Sequence, residues 1–386
     1  MAAAEPFSLT ASHSWQRDSN FGRTSTPIAD TINTTALQLG FDKAYGRQTY
    51  AAKAKVAAVR FSDYGNLDND AKDVSAGFSS EILSNWRLSL NGAYGENLNQ
   101  FENNNSGEER VVRNIRTTKS AQAQLIYGIS GLWALVGSAG KNTLAYSSST
   151  YNYLNYSQNS VGLKAVYYST DLLNYSVGVR KEEADYYNQG ELIDEWNVDF
   201  STDWKVSGLS TLGATLSWTQ SERQTRPGSV ISGRNYNGLT GNLNWNYTPG
   251  GMLSYGLSMY KTSNADQFNQ RYVAINGTSA TLDTALVSFN NRVFSTTAYA
   301  KLTATAKTSF TASATWSHFN VDRTGLSSVD ANDSSDYANL TLNTNYQFDR
   351  WLRFSAGLSR YEQTKDVTRK AYSGRSVTLS ASVLLD

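Results

Sequence analysis

Charged and amide side chains recur at alternate positions of this sequence, and that spacing decides what chemistry they can do. Lys53, Lys55, Arg87, Arg116, Lys164, Arg180, Asp199, Lys301 and Arg353, with Gln122 and Gln124, mostly stand between apolar neighbours. On an extended chain, residues two apart share one face. A series of such chains therefore builds a polar wall that can hydrogen-bond to and steer a solute but has no evident means of breaking a bond. The set is weighted toward Lys and Arg, which predicts an anionic or neutral polar passenger. Any water-filled interior needs such residues, so their presence alone does not single out a substrate.

Catalysis has little to work with. The only histidines are His13 and His318, and there is no cysteine, so a thiolate nucleophile or a cysteine-bound zinc is excluded. Serines are so common that one near His318 carries no information about a Ser/His/Asp triad. Both histidines read as polar residues near strand ends. No phosphate loop, dinucleotide fingerprint or metal-spaced cluster is present. The acidic pair Glu182-Glu183 and the stretch 330–336 could hold a cation weakly, but read more simply as solvated loops. The expectation is no enzyme and no cofactor. A net charge of +1 argues against a nucleic-acid partner.

The elements that position these residues are strands. One unit recurs: an alternating run, a short turn, and a second alternating run. Leu212, Ala214, Leu216 and Trp218 oppose Gly213, Thr215 and Ser217; Val377, Leu379, Ala381, Val383 and Leu385 oppose Thr378, Ser380 and Ser382. Short turns are expected near Tyr45-Gly46, Ser84-Asn85, Ser130-Gly131, Thr170-Asp171, Ser207-Gly208, Pro249-Gly250, Thr308-Ser309 and Asp349-Arg350. Longer polar loops are expected at 20–30, 63–70, 99–110, 146–152, 186–190, 222–232, 265–290, 323–332 and 365–370, where Asn, Gly, Asp and Ser gather. The loop at 265–290 carries enough apolar residues either to fold onto the barrel as a lid or to extend its flanking strands. The four prolines, Pro6, Pro27, Pro227 and Pro249, all avoid the strand interiors.

Together these signals predict an all-β fold: a transmembrane, antiparallel, up-and-down β-barrel of about 18 strands, with short periplasmic turns, long extracellular loops and periplasmic termini. The longest apolar run, Leu132-Trp133-Ala134-Leu135-Val136, is far short of a membrane helix. Mean hydropathy is negative, and abundant Tyr and Trp suit membrane–water interfaces. No linker or composition shift divides the chain, so 1–386 is expected to be one barrel domain in a bacterial outer membrane. No strand offers a flat apolar patch for a neighbour, so a monomer is expected. The start Met1-Ala2-Ala3-Ala4-Glu5-Pro6 lacks a basic n-region and an apolar h-region, and reads as a mature start whose precursor carries a secretory signal.

The hairpins at 85–94 and 349–361, the overall length and the opening strand at 7–20 resemble those of the β-barrel porins encoded in exopolysaccharide operons, the EpsL type. The likeness spans nearly the whole chain on a degenerate motif. The ending Val383-Leu384-Leu385-Asp386 departs from the aromatic residue on which barrels commonly finish. The resemblance implies a pore exporting a polysaccharide. Its partners would be outer-membrane lipid and lipopolysaccharide, the polysaccharide itself and a periplasmic polysaccharide-export protein. The residues leave other functions open: a general or substrate-specific diffusion porin for small polar solutes, or a sheath or adhesin without transport.

Overall fold

The alternating runs become antiparallel strands in one sheet that has no edge. A computed structural model describes residues 6–99, 101, 111–188, 190–225, 235–276, 279–324, 333–365 and 370–385, with backbone only for 225, 264–291, 321–324 and 333. In the first half the strands are β1 (Phe7–Asp18), β2 (Asp30–Tyr45), β3 (Gln48–Phe61), β4 (Asn69–Leu83), β5 (Trp86–Leu98), β6 (Ile115–Tyr127), β7 (Trp133–Tyr146), β8 (Tyr156–Thr170) and β9 (Leu173–Tyr186). The second half adds β10 (Glu191–Ser207), β11 (Ser210–Thr225), β12 (Tyr236–Tyr247), β13 (Leu253–Asn276), β14 (Ser279–Thr303), β15 (Thr308–Thr324), β16 (Asp333–Gln347), β17 (Leu352–Gln363) and β18 (Tyr372–Leu385).

Every strand pairs with its neighbours in sequence, and β1 closes the ring by pairing with both β2 and β18. The closing register runs from Leu9↔Leu385 to Asp18↔Ser376. Closure satisfies the backbone of every strand internally, which lipid demands. Both described ends of the chain lie at the short-turn end of the barrel.

Alternation sets the faces. Leu37, Leu39, Val161, Leu342, Leu358 and Leu379 are each about half exposed, and the protein supplies nothing to cover them. An apolar surface that large and continuous calls for lipid; a soluble sandwich would bury the same face. Beside the short turns, outward aromatics form a girdle. Phe7 meets Phe41 at 5.0 Å between ring centroids, Tyr50 meets Phe78 at 5.1 Å, Trp86 meets Tyr127 at 4.8 Å, and Trp133 meets Tyr167 at 4.6 Å. Such rings place an apolar body toward acyl chains and a polar tip toward water.

Segment 265–290, expected either to fold onto the barrel or to extend its flanking strands, does the latter: β13 and β14 continue through it, paired from Ala265↔Asn290 to Asn276↔Ser279. The segment has no proline to interrupt the ladder. The turn expected at Thr308-Ser309 lies earlier, between Thr303 and Thr308. There Thr305 Oγ1 accepts the N–H groups of Lys307 and Thr308 at 3.1 and 2.9 Å, the bonding of a side-chain-stabilised turn.

Candidate functional site

With the apolar face outward, the opposite face of every strand lines the interior. Register and alternation place each residue expected there on that face. Lys53 and Lys55 oppose Gly40 and Gln38, between the outward Leu37, Leu39 and Phe41. Gln124, Gln122 and Arg116 oppose Ser89, Asn91 and Asn97, and Arg87 of the same strand as these partners opposes Glu81. Lys164 opposes Gly178, and Arg180 opposes Asn197, two residues from Asp199. Lys301 opposes Ser254, and Arg353 opposes Gln347. The fold shows this facing; a role along a substrate path is a separate matter.

The sequence overstated how basic the interior is. The same alternation turns Asp73, Glu81, Glu182, Glu191, Glu195 and Asp203 inward. Arg87 pairs with Glu81 at 2.7 Å. Arg180 is bracketed by Glu182 and by Asp199, whose Oδ2 accepts from Nε at 3.3 Å. Asp199 also accepts from Ser217 Oγ at 2.6 Å, and Glu182 from Gln158 at 2.8 Å. Asn197 donates to Glu195 at 2.9 Å and accepts from Thr219 at 2.6 Å. Toward the mouth, Arg223 and Glu191 lie 3.4 Å apart with side chains at most 2% exposed. A recess of about 790 Å³ opens against this part of β7–β13. A second recess, of about 570 Å³, lies against β3–β8, where small residues alternate with Lys53, Asn91, Gln122 and Asn142.

The rest of the wall differs. From β12 through β18 to β1, Lys301, Arg353 and, at the rim, Asp18 are the charged inward residues among those described. Hydroxyls and amides fill most of the other positions, with Val293 and Phe319 among them toward the mouth, and bond across strands. Ser295 meets Ser317 at 2.8 Å, Thr297 meets Thr315 at 2.9 Å, and Tyr299 donates to Asn246 at 2.9 Å. The Tyr299 ring lies over Gly256, where an added Cβ would stand only 2.0 Å from the ring. The interior is thus charged on one side and hydroxyl-lined on the other.

At the long-loop end the interior is partly filled, which the sequence did not reveal. Asp18, Asn20, Asp30 and Tyr361 are each at most 2% exposed. Tyr361 donates to Asp18 Oδ1 at 2.5 Å and to the Asn20 carbonyl at 3.0 Å. Asn20 donates to the carbonyls of Thr24 and Ser373. Asp30 accepts backbone N–H groups from Asp63 and Tyr64, at 3.1 and 3.2 Å. Arg23 stacks on the Tyr361 ring at 3.4 Å and holds a positive φ of 51°, a conformation that costs a non-glycine residue of order 1–3 kcal/mol. Under this polar frame, Phe21 and Ile28 pack with Phe61, Leu67, Phe101 and Val111. The loops after β1 and β3, with Phe101 and Val111 from beyond β5, therefore form a pinned cap inside one side of the mouth. The signal was present: Phe21 and Ile28 are apolar residues in an otherwise polar loop.

The remaining candidates separate. His13 bonds Thr35 at 2.9 Å and His318 lies 3.0 Å from Asp336, both on the outer face. Ser317, next to His318, points inward to Ser295. Alternation splits Glu182 from Glu183: the first faces inward and the second outward. Most of 330–336 lies outside the described residues.

The fold has solved counterparts. The chain is similar to the outer-membrane protein OpdK of Pseudomonas aeruginosa, with a TM-score of 0.52 and 10% identity, covering 99% of this chain and 100% of that one. The same values of score and identity hold for OpdK with vanillate, over 99% of both chains. OccK2 (OpdF) of that organism, in complex with glucuronate, gives a TM-score of 0.50 at 12% identity, over 99% of this chain and 98% of the other. At these identities the likeness is one of fold: a closed, 18-stranded outer-membrane barrel. No protein-family model and no curated protein matches the sequence.

Proposed function

We propose that the protein is an outer-membrane channel for small polar solutes. The observation that carries this reading is the interior: a continuous polar wall whose mouth is narrowed by a cap fixed through buried hydrogen bonds. An 18-stranded barrel is wide enough for water. The cap reduces the opening, and the Arg180 cluster supplies charges of both signs to a solute passing through. Weak, repeated contacts of this kind allow entry without trapping. Solved barrels of the same fold are described with vanillate and with glucuronate, both small carboxylates.

A second reading, export of a polysaccharide with help from a periplasmic export protein, is favoured by the hydroxyl and amide wall of β12–β18 and β1. Such a wall matches the many hydroxyls of a glycan. Liposome swelling separates the two. Purified protein in liposomes is exposed to monosaccharides, sugar acids, amino acids and oligosaccharides of increasing length. Rapid swelling with the small solutes and none beyond a few sugar units supports a solute channel. Passage of long oligosaccharides at comparable rates supports export, and no swelling with any solute leaves a sheath or adhesin.

A further inference from the structure

Two arginines face each other on the outer surface. Arg360 of β17 and Arg375 of β18 are register partners, and alternation with the outward Leu358 and Val377 turns both away from the interior. Arg17 of β1 opposes Val377, one diagonal step from Arg375. All three are exposed. Like charges directly opposed across a sheet are destabilising, so this pair calls for a counter-charge.

Among the described residues none is supplied in full. Glu362 approaches Arg360 only to 4.0 Å. Arg17 donates to Thr31 Oγ1 at 3.0 Å, a neutral group. Among the described residues, Arg17 and Arg375 have no carboxylate partner. Several other outward cations in the upper half are matched, Arg60 with Asp70 at 2.8 Å, Lys72 with Glu96 at 2.7 Å and Lys181 with Asp194 at 3.2 Å, whereas Lys119, Lys141 and Lys261 stand singly with no second cation opposite them.

Height decides what the cluster meets. Between Leu352, beside a short turn, and Arg360 the outward residues are Phe354, Ala356 and Leu358. That stretch of tilted strand rises about 20 Å, which brings Arg360 near the top of an apolar band about 25 Å tall. Trp15, opposite Leu379 and two residues below Arg17, fits the same interface. Long loops of such barrels face the cell exterior, so this level is that of the outer-leaflet headgroups.

We propose that Arg17, Arg360 and Arg375 form a docking site for the phosphate groups of the phosphorylated glycolipid of the outer leaflet. Guanidinium forks bind phosphate oxygens in pairs. A phosphate between Arg360 and Arg375 turns their repulsion into a bridge. Among the described residues, three arginines against one glutamate leave the positive excess that such a headgroup neutralises. Leu358, Val377, Leu379 and Trp15 lie below, where its acyl chains would run.

The test uses the refolded, delipidated full chain in detergent. It is offered defined lipid A bearing its phosphates, or the same lipid A with the phosphates removed, and bound lipid is counted by native mass spectrometry. The expected result is a preference of roughly tenfold or more for the phosphorylated form. That preference is lost in Arg17→Gln/Arg360→Gln/Arg375→Gln and largely kept in Arg375→Lys, and millimolar inorganic phosphate does not displace the lipid. Equal binding of both glycolipids by the wild type overturns the proposal. So does an undiminished preference in the triple variant, or displacement by inorganic phosphate alone. A heat-dependent gel shift reports barrel folding; if the triple variant fails to fold, the wild-type comparison and Arg375→Lys decide.

Discussion

Tyr361 on β17 and Asp18 on β1 are 343 residues apart in sequence and joined by a 2.5 Å hydrogen bond, buried inside the barrel. That bond anchors the loop after β1 over the inner wall of β17 and β18. A loop fixed in this way is part of the pore wall, so the geometry of the mouth depends on it.

Tyr361→Phe removes the donor to both Asp18 and the Asn20 carbonyl while keeping the ring under Arg23. A buried acceptor left without its partner costs about 1–3 kcal/mol. The expected outcome is a lower midpoint of urea unfolding in detergent, faster proteolytic cutting within 19–29, and a larger or noisier single-channel current. Unchanged current and proteolysis would show that the loop does not shape the mouth.

Gly374 lies against the same ring: a Cβ there would stand 2.1 Å from Tyr361 Oη. Gly374→Ala should therefore displace Tyr361 and reproduce the effect of Tyr361→Phe on current, with a stability loss of about 1–3 kcal/mol from overpacking. Gly208→Ala, whose added Cβ meets nothing within 4 Å, is the control and should leave the channel unchanged.

The faces can be tested by depth. Leu342 is outward and Thr341, its neighbour, inward. Leu342→Arg near the bilayer midplane should cost about 2–4 kcal/mol, whereas Thr341→Arg should fold normally. Equal penalties at the two positions would contradict the assigned alternation.

Much of this was legible in the sequence, because period two survives wherever one face meets lipid. Leu352, Phe354, Ala356 and Leu358 declared their outward face, and Arg353 its inward one. The interior charge balance was less legible. Glu195 and Asp203 share β10 with the outward Asp194, and the inward Glu182 is followed directly by the outward Glu183, so composition alone does not give the balance. The cap was only faintly legible: Phe21 and Ile28 mark an apolar element in the first loop, but the bonds that pin it join residues hundreds of positions apart, which no local pattern encodes. Segment 265–290 was ambiguous because its apolar content fitted both a lid and a hairpin, and only the pairing of β13 with β14 decides between them.

Arg180 stands between Glu182 and Asp199 with Glu195 nearby. Arg180→Gln leaves those carboxylates unopposed and should shift the reversal potential in a salt gradient toward cation selectivity. Asp199→Asn should shift it the other way. Identical reversal potentials in both variants and wild type would place the cluster off the conduction path.

The central claim, a water-filled channel sized for small solutes, is tested most directly by single-channel recording in a planar bilayer with neutral polymers of graded size added to the electrolyte. The account predicts discrete conductance steps, with small polymers entering and lowering the current and polymers of oligosaccharide length excluded. A barrel that inserts, shown by its heat-dependent gel shift, yet conducts no ions would contradict it.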